Sequence, residues 1–173
     1  KERIIAFFDK YIVLARLLTE NTERYVNNVL ELFNYLKVDK DDIISKFNMT
    51  SDDYQIVSCA FGLGDGHNGN KTVVTIEFIN GYKLVYKPKN LDVNISFKNL
   101  CDYLNKSERF LKLKTTKTLS YKDHGYEEFI EHFKCKTHEE LENFYIRFGY
   151  ILCLIYLLNG TDMHMENLIA HGE

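Results

Sequence analysis

The chain has 173 residues, 45% of them hydrophobic and 27% charged, with a formal net charge of −3. That length suffices for one domain with a real core or for two small lobes, and the composition is ordinary for a soluble globular protein. Acids are interspersed among the lysines, so the charge gives no basis for a nucleic-acid or anionic-membrane partner.

Cys59, Cys101, Cys135 and Cys153 are far apart and form no CxxC pair, which argues against a structural zinc cluster. Cys153 lies inside an apolar helical run and reads as a buried reduced thiol. No signal peptide opens the sequence, and the longest apolar run, YILCLIYLL at 150–158, is too short for a transmembrane segment. A cytoplasmic setting is expected. The start at Lys1 and the end at Glu173, directly after a motif-like segment, suggest a piece cut from a longer polypeptide.

Residues 1–47 read as helical. Ile4, Ile5, Phe7, Phe8, Tyr11, Ile12, Leu14, Ala15 and Leu18 form an apolar stripe. A second helical run carries Tyr25, Val26, Val29, Leu30, Leu32, Phe33 and Leu36, with Asn21 or Thr22 as cap candidate at its start. These aromatics are assigned to core.

The segment GLGDGHNGN at 62–70 contains Gly62, Gly64, Gly66 and Gly69 together with Asp65 and His67. Taken alone it reads as a structural turn, because ordinary turns also use glycine. It leads into a strand pattern and not a helix, which argues against a Walker loop or a dinucleotide fold. Protein kinases do cover phosphates with a glycine loop joined to antiparallel strands.

The strand patterns TVVTIEFI and YKLVYK follow, joined by Asn80-Gly81, a signature of a two-residue hairpin. Pairing Ile79 with Tyr82 sets Val74 opposite Lys87 and Ile76 opposite Val85. Lys87 then shares an apolar face with Val74, Ile76, Phe78 and Val85, and Lys83 lies on that face nearer the turn. A buried ammonium needs a carboxylate or phosphate partner. The bland alternative is a lysine whose stem lies on the sheet while its head reaches water. Pro88, the only proline, holds Lys87 extended.

Downstream, residues 95–106 suggest a helix with Phe97, Leu100, Cys101 and Leu104 inward. Residues 117–134 read as extended with a turn near His124-Gly125. Residues 138–158 read as a helix starting near Thr137, apolar on nearly all sides and therefore running through a core. Asn159-Gly160 ends it.

TDMHMEN at 161–167 comes next. Kinase catalytic loops place a catalytic aspartate five residues before a metal-binding asparagine, the separation of Asp162 and Asn167. The aspartate can deprotonate a hydroxyl and the asparagine carbonyl suits Mg2+. His164 is placed to contact phosphate. The bland readings are a turn aspartate and a satisfied loop histidine. A second metal-binding acid is expected about a dozen residues after the asparagine; Glu173 is the one acid after it here.

The segments YIVLARLL, GDGHNGNKTVVTIEFINGYKLVYKPK, HGYEEFIEHFKC and FGYILCLIYLLNGTDMHMENLIAHGE resemble the central part of the dehydratase domain of type II (LanM-type) lanthipeptide synthetases. The resemblance implies an α+β, kinase-like fold related to lipid kinases. Its parts would be a helical N-terminal region (1–58), a small antiparallel β lobe with glycine loop, hairpin and helix (59–132) and the start of a helical catalytic lobe (133–173). Such enzymes use ATP and Mg2+ to phosphorylate Ser and Thr of a precursor peptide, then eliminate phosphate to leave dehydroalanine or dehydrobutyrine. A zinc cyclase domain in the same polypeptide would then use cysteine thiols.

Carried over by position, Lys87 would hold the ATP phosphates, with Gly64, Gly66 and Gly69 letting backbone approach them. Asp162 and His164 would serve phosphotransfer and Asn167 would bind Mg2+. Asp65 and His67 match the GDxH pair on the elimination side of the site. Lys71 and Lys89 stand where the family often has arginine, and His124 where it often has an aromatic residue. The family's second metal acid and remaining elimination residues would lie beyond Glu173. The alternatives are another kinase-like phosphotransferase, or a non-catalytic nucleotide- or peptide-binding module.

Overall fold

A computed structural model describes residues 2–67, 69–161, 163 and 168–173, with backbone alone for residues 2 and 63–67. It is α+β, and the chain divides into two compact units, Lys1–Lys89 and Asn90–Glu173.

The first unit begins with three helices, α1 (Glu2–Lys10), α2 (Ile12–Val38) and α3 (Lys40–Phe47). The cap expected at Asn21 or Thr22 does not form, because α2 runs unbroken through both. Thr22 instead donates its hydroxyl back to the Leu18 carbonyl at 2.7 Å, as a threonine inside a helix can. Asp39 marks the real break, closing α2 and opening α3. Asn48, left-handed at φ 57°, ends α3.

Three antiparallel strands follow, β1 (Ile56–His67), β2 (Lys71–Phe78) and β3 (Lys83–Lys87). Val74, Ile76 and Phe78 alternate on the buried face of β2, and Leu84 and Tyr86 on that of β3. The helices supply Leu32, Leu36, Ile43 and Phe47 to the core. Tyr54 joins helix to sheet: its ring lies 5.2 Å from that of Phe78 and its hydroxyl donates to the Leu36 carbonyl at 2.7 Å. Each such large apolar side chain contributes about 1.5–3 kcal/mol by leaving water.

The β2–β3 register differs from the sequence expectation. Val74 pairs with Tyr86, Thr75 with Val85 and Ile76 with Leu84. The Phe78 N–H donates to the Tyr82 carbonyl at 2.9 Å and the Gly81 N–H to the Phe78 carbonyl at 2.8 Å. The loop is thus three residues, Ile79-Asn80-Gly81, with Gly81 left-handed at φ 81°. This is a turn followed by a glycine bulge. One extra loop residue moves every β3 side chain to the other face. Lys87 therefore does not share a face with Val74, Ile76 and Phe78; it lies with Val85 and Lys83, on the face that carries Thr75.

The second unit comprises α4 (Asp92–Leu104), the hairpin β4 (Thr118–Ser120) with β5 (Gly125–Glu128), and α5 (His138–Leu157). Tyr126 and Leu91 are fully buried, as is Cys101 on α4. Asn105 fastens the chain after α4, donating to the Leu113 carbonyl at 2.8 Å and accepting its N–H at 2.7 Å. The expected turn spans Tyr121–His124, whose rings stack at 4.8 Å. Thr137 caps α5 by accepting the Glu140 N–H at 3.1 Å, and left-handed Asn159 follows its end.

The expectation that α5 runs through a core is not met. None of its residues is buried, and Tyr156 is 84% exposed. Cys153 is likewise exposed and not buried. Apolar composition on every side states what a helix can bury against, not what it touches within a given stretch of chain. No helix among the described residues is long and apolar enough to cross a membrane.

Candidate functional site

The glycine-rich segment is mostly strand. β1 continues through Gly64, Asp65 and Gly66 to His67, which pairs with Lys71, and Gly69 and Asn70 lie in the turn before it. Pairing with β2 slips between Ile56 and Ser58, between Ala60 and Leu63, and between Leu63 and His67. Each slip is an irregularity of the kind that re-aims side chains near functional sites. Gly62 adopts φ 77° beside one of them and donates its N–H to the Thr72 hydroxyl at 3.1 Å. Gly69 and Asn70 take φ 84° and 66° in the turn.

Two residues of α2 grip this turn. Asn28 donates to the Gly69 carbonyl at 3.3 Å. Glu31 accepts the Tyr35 hydroxyl on one carboxylate oxygen at 3.1 Å and meets the Lys71 ammonium with the other at 2.5 Å. Lys71 is thus committed to a carboxylate of α2. Burial, with the charge of Glu31 and the nearby Tyr35 and Asp39, pushes the Tyr86 phenol above its ordinary range and keeps it neutral. The Glu31–Lys71–Tyr35 cluster ties the turn to α2. Beside it lies a cavity of about 260 Å3 lined by Tyr25, Val29, Leu32, Phe61, Val74 and Tyr86. Sequence reading missed this cluster, since Asn28 and Glu31 sit some forty residues before their partners and carry no local signature.

Lys87 ends β3 on the other side of the sheet. It is half-buried among half-buried neighbours, Val85 and Thr75, whereas the helix-covered face is closed. One continuous run of antiparallel strands therefore joins the turn after His67 to Lys87. The inward placement of Lys87 on the apolar face, from which the sequence argued for a carboxylate or phosphate partner, is therefore not what the register gives.

Asp162, His164 and Asn167 lie outside the described residues, as do the side chains of Asp65 and His67. Among the described residues no group of His, Cys, Asp and Glu could hold a metal ion. Glu173 already has partners: Asn143 donates to its carboxylate at 2.9 Å, with Arg147 at 3.5 Å and Lys114 at 3.7 Å. Asn143 first, then the Arg147 charge, hold this carboxyl below its ordinary range. The strand-like end of the chain pairs with the segment before α5: the Phe133 N–H donates to Ala170 at 3.0 Å and the Gly172 N–H to Phe133 at 2.9 Å.

A family model described as "Domain of unknown function (DUF4135)" matches residues 11–173. The chain is 31% identical, over 95% of its length, to the lacticin 481/lactococcin biosynthesis protein LcnDR2 of Lactococcus lactis subsp. lactis. It spans 18% of that relative's length.

Proposed function

Because the chain belongs to the DUF4135 family, and resembles a lacticin biosynthesis protein over nearly its whole length, we propose that it is the phosphate-handling part of a lanthipeptide dehydratase. In this reading ATP phosphorylates Ser or Thr of a precursor peptide, and the site then eliminates phosphate to leave dehydroalanine or dehydrobutyrine. The observation that carries it is the continuous antiparallel path from the glycine-bearing β1–β2 hairpin to Lys87, followed in sequence by Asp162 and Asn167.

Lys87 would neutralise ATP phosphates from the half-buried face of β3, and Gly64, Gly66 and Gly69 would let backbone approach them. Asn167 would contribute to holding Mg2+, which supplies charge neutralisation at the transferring phosphoryl group; a carbonyl oxygen is a suitable donor for that hard cation. Asp162 would accept the peptide hydroxyl proton as its oxygen attacks phosphorus, with His164 beside the phosphate. For elimination a base must take the α-proton while the phosphate departs with its electron pair, and cationic help lowers that barrier. Asp65 and His67 are assigned to this second half-reaction. The remainder of the polypeptide, a zinc cyclase included, would act after it, and the setting would be cytoplasmic.

The test uses the full-length protein with its precursor peptide, ATP and Mg2+. Asp162→Asn is expected to lower phosphorylation by about 100-fold or more, the scale of a lost general base, read by mass spectrometry. Undiminished turnover would overturn the assignment.

A further inference from the structure

The grip on the hairpin comes from α2, through Glu31 and Asn28, whereas Lys87 stands at the end of β3. Its geometry is specific. Lys71 is the residue paired with His67 across the turn, and its ammonium is held by Glu31, whose second oxygen is fixed by Tyr35. Asn28, one helical turn before Glu31 and on the same side of α2, holds the Gly69 carbonyl. Both side chains of the ion pair are partly shielded, at 27% and 33% exposure, so water screens the attraction less than at an open surface. The turn between the two anchors includes two left-handed residues, Gly69 and Asn70, and β1 is irregular over its last residues. The α2 clamp thus adds two side-chain contacts to the backbone pairing of His67 with Lys71.

Resting on the dehydratase reading, we infer that Glu31 is a positioning residue for elimination: through Lys71 it fixes the His67-bearing end of the glycine hairpin. In that reading phosphoryl transfer is assigned to Lys87 and the residues of 162–167, and elimination to Asp65 and His67. Loosening the clamp should therefore separate the two half-reactions. The peptide is still phosphorylated, but phosphate leaves more slowly and phosphopeptide builds up.

The experiment compares full-length wild type, Glu31→Gln and the double variant Glu31→Lys/Lys71→Glu, each with precursor peptide, ATP and Mg2+. Phosphopeptide and dehydrated peptide are followed over time by mass spectrometry. Gln keeps the shape and the bond to Tyr35 and removes only the charge facing Lys71. The expected result is a rise of about five- to tenfold in the ratio of phosphopeptide to dehydrated peptide, within the range of coupling through a packed network. Phosphorylation should stay within about twofold by the same argument, and the charge swap should restore the ratio at least in part. A merely structural role would lower both steps together, and that result overturns the inference, as does an unchanged ratio in Glu31→Gln. If Glu31→Gln fails to fold, Lys71→Met provides the same readout by removing the other charge. A wild type that yields neither product overturns the dehydratase reading itself, and the inference with it.

Discussion

The two units bury their apolar residues to very different degrees. In residues 1–89 the closed core comprises Leu32, Leu36, Ile43, Phe47, Met49, Val74, Ile76, Phe78, Leu84 and Tyr86. In residues 90–173 it comprises Leu91, Cys101, Leu113 and Tyr126, while α5 leaves Tyr145, Leu152, Tyr156 and Leu157 more than half exposed. The second unit is held more by polar fastenings. Asn90 donates to the Tyr121 carbonyl at 3.0 Å, Asn94 to buried Glu127 at 2.6 Å, and Asn105 clamps Leu113 from both sides. A sheet packed on helices supports the glycine hairpin and Lys87 in the first unit. The segment carrying Asp162 follows a helix with no buried residue in the second.

That contrast can be broken by substitution. The largest stability loss is expected at Phe78, 1% exposed at the centre of the first core. Phe78→Ala should cost about 3–5 kcal/mol, read as a shift of the denaturant midpoint. Gly125→Ala should come next, at about 1–3 kcal/mol for overpacking. A Cβ there would lie 2.6 Å from Leu91 Cδ1 and 2.7 Å from the Leu119 carbonyl oxygen. The side chain can shift, but the carbonyl belongs to the paired strand. Smallest is Tyr156→Ala on the open face of α5, which should stay within about 0.5 kcal/mol. A loss at Tyr156 as large as that at Phe78 would mean that the α5 stripe is covered in solution, and the contrast would fall.

The same contrast explains what could be read from sequence. Period-two alternation located β2 and β3, and Thr137 and Asn159 marked the ends of α5 at the expected places. These are local signals, written in neighbouring residues. The face of Lys87 was not legible, because Asn80-Gly81 fits both a two-residue turn and a three-residue loop with a glycine bulge. The choice between them inverts the strand. The Glu31–Lys71 clamp was hidden for another reason: it is a tertiary contact between charged residues that look solvated one at a time. The exposure of α5 was hidden because hydrophobicity does not name a partner. Asp162, His164 and Asn167 remain assigned by spacing and resemblance.

The central proposal is that Lys87, at the end of β3, would hold the phosphates of ATP. It is tested most directly by titrating the full-length protein with MgATP and comparing wild type with Lys87→Met by calorimetry. The account predicts affinity weakened by about tenfold or more, the scale of a lost charge-assisted contact. Equal MgATP affinity in the two proteins would contradict it.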